Sequence, residues 1–205
     1  MHAGTEAAVM ESHWGGGVSP FGASWQKTMM WIFIVTDGLL FSGLLCGYGF
    51  LRQASPIPWP KQAEVFSIPF IALMTFILIT SSATMGSAVA AAKLGQSKAA
   101  SRFLLLTIVG GAAFLGCQAY EWTHIIHDGA RLTHNPWGAP QFGASFFVLT
   151  GFHGSHVFSG LVILIITAIR NAMGKTPAQG VEMAGLYWHF VDLVWVFIFT
   201  LFYLL

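Results

Sequence analysis

Five long apolar stretches run along this chain, at residues 28–51, 67–92, 102–126, 143–169 and 181–205, with short polar breaks between them. Each exceeds the roughly 20 residues that carry a helix across about 30 Å of hydrocarbon at 1.5 Å per residue. The runs are continuously apolar, unlike the alternating pieces of about ten residues that build a membrane barrel. Only helices and closed barrels satisfy their own backbone groups in lipid, so the pattern predicts five transmembrane α-helices. The breaks are marked by Pro56, Pro58 and Pro60, then by Lys93 to Ser101, Asp128 to Gln141 and Asn171 to Gly180. Connections this short favour antiparallel neighbours, and predict a single all-α bundle over residues 25–205. Residues 1–24 carry Glu6, Glu11 and the run Gly15–Gly17 without a basic start, and read as a polar N-terminal tail, not a signal peptide.

Composition strengthens this reading. Of 205 residues, 55% are hydrophobic and 8% charged, where a soluble domain carries about 25% charge. Nine basic and eight acidic residues cannot cover a water-facing surface, so the bilayer must be the solvent for most of the chain. The net charge of +1 gives no reason to expect nucleic acid. The two cysteines, Cys46 and Cys117, fall inside apolar runs and read as small buried side chains. Lys and Arg are distributed unevenly: Lys27, Lys93, Lys98, Arg102, Arg170 and Lys175 share one side, and Arg52, Lys61 and Arg131 the other. The side richer in cations is expected to face the cytoplasm, with the N-terminus inside and Leu205 outside.

Small residues are dense within the runs, among them Gly38, Gly43 and Gly47 in the first, and Gly110, Gly111 and Gly116 in the third. Helices in lipid associate by close backbone approach at such positions, within the chain or against a partner. Ionisable groups at this depth each cost at least about 2.5–3.5 kcal/mol, so each needs a partner or a purpose. Asp37, Glu121, His153, His156, His189 and Asp192 all fall within the runs. Asp37 is read first as a structural hydrogen-bonding group, and second as a proton relay. His153 and His156, three apart, share a helix side. They suit interhelical hydrogen bonding better than metal or haem ligation, which calls for further ligands or a large cavity. Acids and imidazoles on adjacent helices are expected to satisfy one another in one polar cluster. Trp122, Trp137 and Tyr120 suit the aromatic belt at the membrane edge. No phosphate loop, nucleophile elbow or zinc-protease helix is present, and nothing forms a catalytic constellation.

Three segments carry a resemblance. Leu149-Thr-Gly-Phe-His-Gly-Ser-His-Val157, followed by Tyr187-Trp-His-Phe-Val-Asp-Leu-Val-Trp195, closely resembles the last two helices of subunit III of haem–copper respiratory oxidases. Gln118-Ala-Tyr-Glu-Trp122 matches a family segment in the helix before them. The resemblance covers about residues 25–205, and the length is similar to the shorter bacterial form, which lacks the first two of seven helices.

The resemblance implies a non-catalytic accessory subunit of a proton-pumping terminal oxidase in a bacterial inner membrane. Such a subunit holds no haem or copper itself; these sit in partner subunits. It packs against catalytic subunit I, in a complex with subunit II, binds phospholipid, and supports sustained proton uptake; a larger respiratory supercomplex is a further possible setting. Carried onto this chain, Glu121, His153, His156, His189 and Asp192 take the family's polar positions, and Arg170 a place that holds lipid head groups. Asp37 stands where many cytochrome c oxidase members have Glu, and is similar here to the quinol-oxidase branch. The electron donor, cytochrome c or quinol, stays open. Two other readings remain: a related accessory protein of a nitric oxide reductase system, and a small proton transporter, against which the absence of an inverted repeat weighs.

Overall fold

The computed structural model describes residues 24–205; the expected tail over residues 1–24 lies, but for Ser24, outside the described residues. Five long helices follow one another: α1 (Trp25–Ala54), α2 (Ile68–Lys93), α3 (Ser97–His127), α4 (Pro140–Ala172) and α5 (Ala178–Ile198). Each is long and apolar enough to cross a membrane, and no strand occurs among the described residues. A single helical turn, Gln62–Val65, lies in the first loop, and α5 runs on into a wider π-turn over Phe199–Leu204.

The helices outrun the apolar stretches at most ends. The reason is the character of the flanks. Pro140 starts α4 with the fixed φ of a first-turn proline, and Ser97, Lys98 and Ser101 make the start of α3 polar. Lys93 and Arg170 occupy last turns, where a long cationic side chain reaches the head groups and suits the carbonyl end of the helix.

α2, α3, α4 and α5 pack as a ring, each against the next and α5 back against α2, while α1 lies outside over the seam of α4 and α5. Half of the most apolar part of α5 (50%) is buried within the chain, against 11% for α1. The core is lined with Trp188, Trp195, Phe114, Met74, Leu78 and Met85, all fully enclosed. Three indoles brace the ring. Trp188 Nε1 donates to Ser81 Oγ at 3.1 Å, Trp195 Nε1 to Thr75 Oγ1 at 3.0 Å, and Trp122 Nε1 to Thr150 Oγ1 at 3.0 Å. Each of these hydroxyls also donates to a carbonyl of its own helix, so no polar atom of the pair is left to hydrocarbon. Trp122 is therefore also a strut between α3 and α4; Tyr120, at 62% exposure, remains on the outside.

One further expectation changes. Cys46 is exposed on α1, because α1 buries only a narrow stripe; Cys117 is half-buried. The third loop folds onto the bundle. Ala130 and Asn135 are buried, Asn135 Nδ2 donates to the Ala139 carbonyl at 2.9 Å, and Gly138, at φ +111°, lets the Pro58 carbonyl come close. A side chain at Gly138 would meet both a disfavoured backbone and that oxygen.

Candidate functional site

The six residues Asp37, Glu121, His153, His156, His189 and Asp192 do not converge into one cluster. Helical register separates them into four places.

Asp37 and His156 meet across α1 and α4, with Oδ2 3.2 Å from Nε2, both largely buried. His156 Nδ1 lies 2.9 Å from the Phe152 carbonyl. A carbonyl only accepts, so Nδ1 carries a hydrogen and Nε2 is the nitrogen turned to the carboxyl. The two groups lie within ion-pair distance, although Asp37 Oδ2 makes no hydrogen bond among the described residues. Beside them Ser159 Oγ and Tyr187 Oη are 2.7 Å apart, and the Tyr187 hydroxyl also reaches the His156 carbonyl at 3.2 Å.

His153 is three residues away yet turned about 60° around the helix at 100° per residue, and that suffices to part it from Asp37. It is fully enclosed, edge-on to Phe114 with ring centres 5.8 Å apart and tilted against Trp195 at 5.1 Å. Neither ring nitrogen has a hydrogen-bond partner among the described residues. It fills the core as an aromatic ring.

Glu121, near the far end of α3, accepts from Tyr203 Oη at 3.0 Å and from Gln118 Nε2 at 3.4 Å. The π-turn after α5 makes this possible. The extra residue per turn rotates Phe202 and Tyr203 inward, where both are fully buried. Sequence reasoning missed Tyr203, because nothing in a run of apolar residues announces a wide turn.

His189 and Asp192 lie on the outward side of α5. His189 Nδ1 is 2.6 Å from Ser82 Oγ on α2, and Asp192 follows three residues on, with its Oδ1 buried and unbonded. The three histidines His153, His156 and His189 thus face three different directions, and among the described residues no group of three His, Cys, Asp or Glu side chains is placed to hold a metal ion.

Sequence reasoning also passed over Glu182, at the start of α5. Its Oε1 is 2.8 Å from Lys27 Nζ on α1 and 3.4 Å from Lys93 Nζ on α2. One carboxylate so ties three helices at the membrane edge. Both lysines were legible as rim cations, and Glu182 is the acidic residue in reach of them on that side. Arg170 is exposed in the last turn of α4.

Taken together, these features define a multi-pass membrane protein in which intramembrane polar groups link helices to one another. The comparison with known proteins gives the class its name: residues 3–205 match the model of the family described as cytochrome c oxidase subunit III. The chain is 37% identical over 178 residues to quinol oxidase subunit 3 of Bacillus spizizenii, covering 85% of this chain and 84% of the relative. It is 35% identical over 178 residues to cytochrome c oxidase subunit 3 of Bacillus sp. (strain PS3), covering 85% and 83%. A probable quinol oxidase subunit 3 of Staphylococcus saprophyticus is 34% identical over 183 residues, covering 88% and 89%. The chain belongs to the cytochrome c oxidase subunit III family, and is a subunit III of the haem–copper oxidases that carry aerobic respiration.

Proposed function

We propose that this chain is the non-catalytic subunit III of a proton-pumping terminal oxidase in a bacterial cytoplasmic membrane, packed against the catalytic subunit I in a complex with subunit II. Haem and copper belong to those partners. The match of nearly the whole chain to one family carries the reading. Its N-terminus faces the cytoplasm, since the ends of α1 and α2 that hold Lys27 and Lys93 belong to the side richer in cations. Phospholipid binds with its phosphate at Arg170, whose planar guanidinium suits a two-pronged contact to phosphate oxygens. Support of proton uptake falls to the Asp37–His156 pair, whose carboxyl and ring lie 3.2 Å apart between α1 and α4.

The test is purification of the native complex in mild detergent through a tag on this chain, followed by identification of its chains and pigments. Co-purifying haem and copper polypeptides are the expected result, and the donor is then read from subunit II. Pigment bound to this polypeptide after its partners are stripped away would overturn the reading.

A further inference from the structure

We propose that the outward face of α5 between α1 and α2, centred on His189, Ser82 and Asp192, receives a transmembrane helix of the haem-bearing oxidase subunit, and that this helix brings a polar side chain to His189 Nε2. The inference rests on the reading of this chain as an oxidase subunit, and names the surface and the chemistry of the contact.

Depth makes the case. His189 lies eleven residues after Ala178, the first residue of α5, and so roughly 16 Å along the helix at 1.5 Å per residue, near the middle of a bilayer. It is nevertheless exposed. Its Nδ1 is occupied by Ser82, while Nε2 has no hydrogen-bond partner among the described residues. Asp192, three residues on, is half-buried and its unpartnered Oδ1 is turned into the chain, so His189 Nε2 is the polar atom the face presents. A ring nitrogen turned to hydrocarbon is costly, and polar groups at this depth face protein or a water-filled cavity.

The rest of the face is shaped for a helix. On the α2 side Ala83, Gly86 and Ala90 are exposed, and a side-chain carbon added at Gly86 would meet nothing within 4 Å, so a foreign backbone has room to approach closely. On the α1 side lies an apolar groove of about 420 Å³, walled by Gly38, Leu39 and Ser42 and by Phe190, Leu193 and Phe197. It offers space for the bulky side chains of the same helix. The outward face of α3 is the contrast: Leu105, Leu106 and Val109 are exposed there, and beyond the rim cation Arg102 no charged residue or histidine follows until Glu121, as suits acyl chains. Polarity picks out the α5 face for protein.

Photo-cross-linking in native membranes tests the assignment. A photoreactive amino acid is placed at Leu193, one turn from His189, or at Leu105 on α3 as the control, within the assembled oxidase. Leu193 is expected to cross-link to the haem-bearing subunit, and Leu105 to lipid. In parallel, His189→Leu is expected to lower recovery of the haem-bearing subunit through a tag on this chain by roughly threefold, the effect of one average interhelical hydrogen bond, with His189→Asn restoring much of it. If Leu193 links only to lipid, or to a second copy of this chain, while the haem-bearing subunit still co-purifies, the docking face is wrong and the oxidase reading stands. If no haem-bearing chain co-purifies with the unaltered protein, the oxidase reading itself falls.

Discussion

α3 and α1 carry similar strings of glycine, and the structure uses them in opposite ways. In α3, a carbon added at Gly110 would lie 2.7 Å from the Ser81 side chain, and one at Gly111 would collide with the Trp188 ring and Leu161. In α1, Gly43, Gly47 and Gly49 have nothing within 4 Å of such a carbon. Gly110 and Gly111 let α2 and the indole of α5 approach, and so belong to the ring. Gly43, Gly47 and Gly49 leave the surface of α1 open, while Gly38 alone of that string meets the bundle, at Phe190. The same residue type thus marks an internal joint in one helix and a free surface in another, and only the position of the helix in the bundle tells which.

The largest effect is expected at the joint. Gly111→Ala puts a methyl into the space of a fully buried tryptophan that is itself tied to Ser81, so neither the ring nor the bond can yield without the other. Overpacking of this kind costs about 1–3 kcal/mol. A lower thermal midpoint in detergent, by fluorescence or by loss of extractable protein, is the expected reading. An unchanged midpoint would mean that Trp188 does not pack on Gly111.

The Asp37–His156 pair comes next. His156→Leu leaves a carboxyl at bilayer depth with no partner, a loss of about 1–3 kcal/mol. Asp37→Asn keeps a hydrogen-bonding head opposite Nε2 and is expected to stay within about 0.5 kcal/mol of the parent. Equal damage from both would show that the ionic form, not the hydrogen bond, holds α1 to α4. Below this lies Trp195→Phe, which removes one indole bond to Thr75 and keeps most of the ring; about 0.6 kcal/mol is expected, measured by the same thermal midpoint.

These cases show how far the sequence could be read. Five spans followed from apolar length alone, because lipid forces every long apolar run into a helix. The polar residues were equally visible, since an acid or imidazole inside such a run stands out. Their pairing was not. His153 and His156 seemed to share a side, yet a 60° turn sends one into an aromatic core and the other to Asp37. Tyr203 reaches Glu121 only through a wide turn that local propensity does not encode. Tryptophans in an apolar run look like bulk or belt, and their hydroxyl partners lie on helices distant in sequence. Contacts set by crossing geometry leave no trace in a linear pattern.

The smallest effect is expected at the rim, where α1 is tied to the ring by charge. Glu182 accepts from Lys27 at 2.8 Å and from Lys93 at 3.4 Å, so Lys27→Ala removes one of two cations and leaves the carboxylate paired. The lysine side chain is 37% exposed and reaches toward water and head groups, which screen the pair. Such bonds contribute about 0–1 kcal/mol, and here the second lysine takes up part of the loss. Glu182→Ala is expected to do more than Lys27→Ala, because it frees two ammonium groups beside each other and releases α1 and α2 together. Comparing the two variants in low and high salt separates the cases: a charge clasp narrows the gap as salt rises, whereas a gap indifferent to salt would show that Glu182 acts through packing of its aliphatic stem.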